Sequence, residues 1–285
     1  MSDLPTGNFA LPDLRVVPVG CLVPHEHHDE NRVGPLTARL RTQGILRNPP
    51  VVTPLPSLGG ERYVVLDGAN RTASARASGF PHFAVQVVRY EEPDVRLLTW
   101  NHAVAGETAR SLGDLLASVP GVTCARETAA HARALLARRE ILAFVATAEP
   151  EVIALAAPGD FAERNRVLNR MVERYRKGAR VYRVASDAFL PVRERMSDAE
   201  ALVVFPRFVP AEVLELAATG EKMPAGITRH LVQWRALRVN LPLEFLADAS
   251  REREEKQAWI DSWMREQLEK SHVRFYEEST VLFDE

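Results

Sequence analysis

The densest run of side chains that could do chemistry is a polar segment near the start of the chain, His25-Glu26-His27-His28-Asp29-Glu30. Imidazole and carboxylate groups both bind divalent metals, but a helical zinc motif needs two histidines four residues apart that flank a glutamate. The residue three after Glu26 is Asp29, which does not fit that motif. Three interpretations stay open: a solvated loop, a catalytic carboxylate held in a loop, and a protein metal cage.

A second candidate is the segment Asp67-Gly68-Ala69-Asn70-Arg71, which ends a predicted strand and opens a predicted helix. Exposed backbone N–H groups and the positive end of the helix dipole attract anions at such a turn. Gly68 lets the backbone approach a phosphate, Arg71 suits a bidentate contact with it, and Asn70 suits a neutral hydrogen bond. Asp67 would hold Mg²⁺ or orient Arg71. The alternative is an ordinary turn in which Asp67 or Asn70 caps the helix.

Two further groups, Thr99-Trp100 and Thr228-Arg229-His230, indicate less by themselves. Arg229 beside a threonine and a histidine suits a carboxylate ligand, but such a triplet is more often a helix start with a surface arginine. Trp100 is more often a core residue than the wall of a ligand site. Neither group assigns a function alone.

The elements that must position these residues follow a mixed α/β pattern. Hydrophobic periodicity and turn residues predict a first block up to Trp100, with strands in 14–23, 51–53, 61–67 and 81–90 and helices ending at Gly44 and Gly79. The second block has predicted helices in 111–119, 127–140, 161–178 and 210–221 and strands in 141–147, 151–157, 181–186 and 201–208. A long charged helix over 248–270 and a final strand over 273–285 follow.

Composition excludes several classes of protein. The 285 residues carry 36 Lys and Arg against 38 Asp and Glu, and a net charge of −2 gives no overall electrostatic attraction for nucleic acid. Two cysteines, Cys21 and Cys124, are too few for a disulfide framework and indicate a reducing compartment, where both would be inert core residues. The sequence shows neither a secretion signal nor a long apolar run, so we expect a cytoplasmic protein.

The order and spacing of the four motifs resemble the free L-serine kinase branch of the ParB/sulfiredoxin-like superfamily. The resemblance runs from about Leu14 to about Leu241 and includes residues 45–52 and 201–221. It implies an α/β (α+β) fold with a ParB/sulfiredoxin-like N-terminal lobe, a second α/β lobe and a long C-terminal helix. The expected domains are 1–104, which binds nucleotide, 105–241, which contributes to the serine site, and 242–285, a helix and strand extension.

The resemblance also implies an activity and a set of site residues. The chain is expected to transfer a phosphoryl group from ATP or ADP to the hydroxyl of free L-serine, with Mg²⁺ bound mainly through the phosphates and possible help from Asp67. Glu26 is expected to be the catalytic base, and Asp67 a second catalytic residue. The nucleotide phosphates would contact Gly68, Ala69, Asn70, Arg71 and Thr72. Serine would contact Trp100, Thr228, Arg229 and His230, with Trp100 facing its ammonium group in a cation–π contact.

Departures from related motifs separate the branches of the superfamily. Sulfiredoxins carry a reactive cysteine where this chain has Ala69, so their reductase mechanism is excluded. Partition proteins carry a Glu and an Arg where this chain has Ala69 and Asn70, which leaves a nucleotide-sensing or DNA-binding regulator as the weaker alternative. Related kinases can have two histidines at those positions, so Asn70 or backbone amides must replace their phosphate contacts. The choice between ATP and ADP, the oligomeric state and the pathway, cysteine synthesis or siderophore precursor supply, stay open.

Overall fold

The structure, a computed structural model, describes residues 11–28, 30–106 and 111–275. Contacts divide the described residues into two compact units, one formed by 11–24, 28, 30–96 and 231–275 and the other by 25–27, 97–106 and 111–230. Both combine helices with a sheet, so the predicted α/β class is confirmed. Within the described ranges, every helix is too short or too polar to cross a membrane.

The first unit contains the chain's N-terminal and C-terminal elements. Its strands are β1 (Leu14–Pro18), β2 (Leu22–Pro24), β3 (Ile45–Leu46), β4 (Val51–Pro54), β5 (Tyr63–Asp67), β6 (His82–Val87) and β15 (Leu241–Pro242). Its helices are α1 (Glu30–Gln43), α2 (Ala69–Ala77), α8 (Leu243–Ala247) and α9 (Arg253–Glu269). The boundary between the units falls inside β7 (Val95–Thr99) and β14 (Thr228–Val232), which pair with each other.

The second unit contains the remaining elements. Its strands are β8 (Asn101–Ala105), β9 (Thr123–Thr128), β10 (Ala143–Ala146), β11 (Glu151–Ala156), β12 (Arg180–Val184) and β13 (Ala199–Val204). Its helices are α3 (Leu112–Ala117), α4 (Ala129–Ala137), α5 (Phe161–Arg176), α6 (Phe189–Arg195) and α7 (Pro210–Thr219).

The sheet of the first unit is mixed, with the strand order β1-β6-β4-β5-β2. β4 and β5 form the predicted antiparallel hairpin, whereas β2 joins β5 in parallel and β6 joins β4 in parallel. Its core is aliphatic and aromatic, with Val52, Val65 and Phe83 almost fully buried. β5 ends at Asp67 and α2 begins at Ala69, so this sheet presents the 67–71 turn at the end of a buried strand.

The sheet of the second unit is antiparallel throughout, with the order β12-β8-β13-β10-β11-β9. Helix α5 buries Val167, Leu168 and Met171 on one face, as its helical periodicity predicts. Asp160 and Glu163 close a capping box at its start, a motif that satisfies two backbone N–H groups the helix leaves unpaired. The helix therefore begins at a defined residue and buries one apolar face.

Several predicted elements differ from the structure. Strands β7, β8 and β9 and helix α6 have no counterpart in the prediction, and the residues 228–230 form a strand start rather than a helix start. The C-terminal helix begins at Arg253 instead of Asp248, and most of the predicted final strand lies outside the described residues. Cys21 is half-buried and Cys124 is exposed, so the prediction that both are core residues is wrong.

The boundaries of the compact units differ from those of the predicted domains 1–104, 105–241 and 242–285. Residues from Leu231 onward belong with the first unit because β15 pairs with β3 and α9 packs on β1. Residues 25–27 belong with the second unit because Glu26 forms an isolated parallel bridge with Met223. Backbone pairing between distant segments, which no local pattern reports, produces this division.

Candidate active site

Glu26 lies on a short extended segment that pairs with the backbone around Met223. The His27 N–H donates to the Met223 carbonyl at 3.0 Å, and the Met223 N–H donates to the His25 carbonyl at 2.7 Å. This pairing aims the Glu26 side chain at the backbone of residues 226–228, and 14% of the side chain is exposed. The residue is therefore held in place yet open to a small molecule.

Three donors hold the Glu26 carboxylate. Oε1 accepts the Thr228 N–H at 2.7 Å and the Thr228 hydroxyl at 2.5 Å, and Oε2 accepts the Gly226 N–H at 2.9 Å. A carboxylate oxygen offers two acceptor positions, so among the described residues Oε1 is saturated and Oε2 keeps one position open. Oε2 is therefore the atom of Glu26 suited to receive a proton from a substrate hydroxyl.

His25 supports this arrangement through Thr228. The Thr228 hydroxyl has one proton, which it donates to Glu26, so it accepts from Nε2 of His25 at 2.8 Å. The ring of His230 lies edge-on against the ring of His25, with centroids 5.3 Å apart. Two members of the predicted serine-binding triplet, Thr228 and His230, thus contact the candidate base and its neighbour.

Arg229 points to the other face of β14, because side chains alternate along a strand. Its guanidinium carbon lies 4.3 Å from the centroid of the Trp100 ring. The backbone N–H of Trp100 donates to the Ile227 carbonyl at 2.8 Å, which places the Trp100 backbone next to the residue before β14. The structure therefore brings the predicted residues Trp100 and Arg229 together, with the Arg229 guanidinium over the face of the indole ring.

The polar residues 25–28 show no metal site with the other residues that the structure describes. In the part of the chain that the structure describes, no group of three or more His, Cys, Asp and Glu side chains could hold a metal ion. Asp29 lies outside the described residues. The hydrogen bonds of Glu26 favour the interpretation of this segment as a loop that holds a carboxylate.

The turn after β5 is shaped by Gly68. This residue has a φ of +93°, and a Cβ built on it would lie 2.9 Å from Nη2 of Arg71 and 3.0 Å from Cα of Pro50. Only glycine adopts this backbone conformation without strain and fits this space. The turn therefore brings the backbone at the start of α2 close to the guanidinium of Arg71.

Asp67 orients two arginines at this turn. Arg71 donates to Oδ2 of Asp67 at 2.8 Å and to the Asn48 carbonyl at 2.7 Å, and Arg235 also pairs with Oδ2 of Asp67. Burial raises the pKa of Asp67, but the charges of Arg71 and Arg235 outweigh it, so the pKa lies below its usual value. The carboxylate therefore serves as an anchor for two cations.

Arg235 is a functional candidate that the motifs did not reveal. It lies 168 residues after Asp67, and nothing in the pattern around it distinguishes it from a surface arginine. Its side chain is 30% exposed and that of Arg71 is 20% exposed, so both guanidinium groups are half-buried. A pair of cations held by one carboxylate suits the charge of a polyphosphate.

The remaining predicted phosphate contacts differ in what they offer. Ala69 and Asn70 lie in the first turn of α2, where the structure shows the N–H groups of a helix start. Thr72 is 2% exposed, and its N–H donates to the Gly68 carbonyl at 2.9 Å. The buried Thr72 hydroxyl has no hydrogen-bond partner among the described residues, and a contact between Thr72 and a phosphate stays a prediction.

A buried histidine lies behind the segment that holds Glu26. His102 is fully buried in β8, its Nδ1 lies 2.5 Å from the Tyr175 hydroxyl, and its Nε2 lies 3.2 Å from the Gly226 carbonyl. Burial lowers the pKa of His102 to about 3, the Gly226 carbonyl opposes the shift, and the charges of Arg176 and Arg183 add to it. The ring is therefore neutral in the folded protein at neutral pH.

This neutral histidine predicts a pH dependence of stability. Below an unfolded pKa of about 6.5 the unfolded chain binds a proton at His102 that the folded chain does not, so stability falls as the pH drops towards 3. His102→Gln cannot titrate. Urea unfolding at several pH values between 6 and 4 measures the free energy of unfolding. Plotted against pH, this free energy should have a steeper slope for the wild type than for His102→Gln, by about 1.4 kcal/mol per pH unit. Equal slopes would contradict a neutral buried His102.

Proteins named as L-serine kinases are similar to this chain in sequence. The chain matches no protein-family model. It is 29% identical over 100 residues to the ATP-dependent L-serine kinase of Staphylothermus marinus, a match that spans 35% of this chain and only 39% of that kinase. The ADP-dependent L-serine kinase SerK of Thermococcus kodakarensis is 25% identical over 249 residues, which span 86% of this chain and 96% of that kinase. The ATP-dependent L-serine kinase SbnI of Staphylococcus aureus is 23% identical over 276 residues, 95% of this chain and 97% of that one.

Solved structures share the fold. A free serine kinase in complex with AMP superposes with a TM-score of 0.70 at 20% identity, over 85% of this chain and 98% of that one. A mutant of free serine kinase in complex with ADP gives a TM-score of 0.67 at 20% identity, over 84% of this chain and 98% of that one. The resemblance to free L-serine kinases that the motifs carry is therefore confirmed, and the chain shares the fold of the solved free serine kinases.

Proposed function

We propose that this protein is a kinase that transfers a phosphoryl group from ATP or ADP to the hydroxyl of free L-serine, forming O-phospho-L-serine. The observation that carries the proposal is the Glu26 carboxylate, which three donors hold so that Oε2 keeps one acceptor position. Phosphoryl transfer needs positioning, charge neutralisation and a group that accepts the proton of the attacking hydroxyl. Glu26 Oε2 would accept that proton from serine.

The second unit supplies the groups proposed for serine. We propose that the guanidinium of Arg229 binds the serine carboxylate and that Trp100 holds the guanidinium in place through the contact at 4.3 Å. Because Arg229 lies on the Trp100 ring, a role for Trp100 through Arg229 is favoured over a direct contact with the serine ammonium group. Thr228 would hold the Glu26 carboxylate by its hydrogen bonds, and His25 would hold the Thr228 hydroxyl. His230 would support His25 through the contact between their rings.

The first unit supplies the groups proposed for the nucleotide. Arg71 and Arg235 would neutralise charge on the phosphates, and the backbone around Gly68 and Ala69 would donate N–H groups to them. Asn70 would add a neutral hydrogen bond in place of the imidazole contacts of related kinases. Asp67 would keep both arginines oriented while the nucleotide binds and leaves.

Magnesium is proposed to enter with the phosphates. The turn over residues 67–71 begins with the carboxylate of Asp67, and Arg71 and Arg235 pair with its Oδ2. Among the described residues, no cluster of acidic side chains, histidines or cysteines is large enough to hold the ion by itself. A nucleotide-borne ion would supply charge neutralisation during transfer, and no residue of the chain is assigned as its ligand.

The direct test is an assay of the purified protein with L-serine, Mg²⁺ and either ATP or ADP. We expect O-phosphoserine to form together with ADP from ATP or AMP from ADP, and the co-product identifies the phosphate donor. Mass spectrometry of the amino acid and separation of the nucleotides provide the measurement. D-serine and L-alanine serve as controls for the acceptor, since L-alanine lacks the hydroxyl. Absence of O-phosphoserine with both nucleotides would contradict the proposed function.

A further inference from the structure

Tyr175, His102 and Gly226 form a hydrogen-bonded chain that ends at Glu26. The Gly226 carbonyl is only an acceptor, so Nε2 of His102 must donate to it. In a neutral imidazole the other nitrogen is an acceptor, so Nδ1 accepts the proton of the Tyr175 hydroxyl. Because the burial of His102 keeps the ring neutral, the two contacts determine its tautomer.

Gly226 joins this chain to the candidate base. Its carbonyl accepts from His102, while its N–H donates to Oε2 of Glu26 at 2.9 Å. Oε2 is the oxygen that keeps an acceptor position for a substrate proton. The N–H and the carbonyl of Gly226 belong to consecutive peptide units that meet at its Cα, so a change of the Gly226 torsions that breaks the contact with His102 would also turn the N–H away from the reactive oxygen. Gly226 has a φ of +78°, a conformation in which glycine meets no steric penalty and which by itself imposes little restraint.

Side chains of helix α5 restrain the segment 222–226 by donating hydrogen bonds to carbonyl groups of that segment. Asn165 and Asn169 donate to the Lys222 carbonyl at 2.9 Å and 2.8 Å, and Arg176 donates to the Ala225 carbonyl at 2.9 Å. The Lys222 and Ala225 carbonyls are thus bound from the side of α5, and the N–H of Gly226 is directed at Glu26. Tyr175 belongs to the same helix, so one rigid element supports both the segment and His102.

We propose that His102, oriented by Tyr175, is a positioning residue that holds the Gly226 N–H against Oε2 of Glu26 and so sets the geometry of the base. This inference rests on the proposed function, since it assigns the part that His102 and Tyr175 have in the same reaction. Neither side chain is assigned a contact with the substrate. Both are fully buried, and their polar atoms are bonded to each other and to Gly226.

The test removes one hydroxyl group. Tyr175→Phe should lower kcat about tenfold while KM for serine and the affinity for nucleotide change less than about twofold, because only the orientation of the base is loosened. Tyr182→Phe is the matched control, since its hydroxyl bonds Asp198 at 3.0 Å in the same unit and has no contact with Gly226. The control should keep the wild-type kcat.

Two variants at His102 separate positioning from packing. His102→Gln keeps an N–H group that can donate to the Gly226 carbonyl and should retain most of kcat, whereas His102→Leu keeps bulk without a donor and should lose more than Tyr175→Phe. Long-range ¹⁵N–¹H spectra of histidine-labelled wild type should show His102 protonated at Nε2 alone. A proton on Nδ1, or a His102→Leu variant as active as His102→Gln, would overturn the inference.

The outcomes also separate this inference from the proposed function. A wild type that forms no O-phosphoserine overturns the proposed function and this inference with it. An active wild type in which Tyr175→Phe lowers the melting temperature but leaves kcat equal to that of Tyr182→Phe overturns this inference alone. A fall in kcat with unchanged KM in Tyr175→Phe and His102→Leu, together with a kcat close to that of the wild type in His102→Gln, supports it.

Discussion

Replacing Glu26 with glutamine should lower kcat for O-phosphoserine formation by about 10² to 10⁴, the contribution of a positioned general base. The amide cannot accept the serine proton. It also disturbs the contacts of the carboxylate, because a glutamine carbonyl that keeps the Thr228 contacts turns its NH₂ group towards the N–H of Gly226. Two facing donors cost about 1 to 3 kcal/mol of stability, so the variant should melt at a lower temperature and still bind nucleotide.

A matched variant distinguishes loss of the base from loss of the fold. Glu194→Gln makes the same chemical change at an exposed position of α6 and should leave both kcat and stability unaltered. Single-turnover rates at saturating serine and nucleotide, with nucleotide affinity from calorimetry, provide the measurement. Near-normal turnover of Glu26→Gln would remove Glu26 from the role of base and leave it as a structural link to residues 226–228.

Arg229→Ala should raise KM for serine by about 30- to 150-fold, which corresponds to the 2 to 3 kcal/mol of a hydrogen-bonded contact between charged groups. Nucleotide affinity should stay within about twofold, since the groups proposed for the phosphates lie in the first unit. Trp100→Leu should raise KM in the same direction but less, because it removes only the ring on which the guanidinium rests. Steady-state kinetics with varied serine give both values.

Serinamide tests whether the serine carboxylate is the partner of Arg229. The wild type should use this uncharged analogue poorly, and Arg229→Ala should use it no worse than the wild type does. Arg195→Ala, an exposed arginine of α6, is the control for loss of a positive charge and should keep the wild-type KM. Ordinary serine saturation in Arg229→Ala would assign Arg229 to stacking on Trp100 alone.

The amino-acid sequence by itself determined the α/β class, most of the strands and helices around the motifs, and the turn that begins at Asp67. Hydrophobic periodicity and turn residues are local, and here the local preference agrees with the fold: Gly68 has the positive φ that a close turn requires. The family resemblance also came from sequence, because several short motifs in a defined order are more specific than any one of them.

Elements without a local signal could not be predicted. β8 consists of Asn101, His102 and three small apolar residues, and it becomes a central strand only because β12 and β13 pair with it on either side. β9 is mostly exposed and polar, and only its pairing with β11 makes it a strand. Burial and pairing decide strand formation in such segments more than residue type does.

The composition of the candidate site was decided by tertiary structure. Glu26 meets Gly226 and Thr228 some 200 residues along the chain, and Asp67 meets Arg235 after 168. The sequence named Thr228, Arg229 and His230 as one group, but alternation along β14 sends Thr228 towards Glu26 and Arg229 towards Trp100. His102 and Arg235 carried no motif at all. A motif identifies residue types that suit a reaction, whereas the partners of each side chain depend on how distant segments pack, which short-range sequence patterns do not encode.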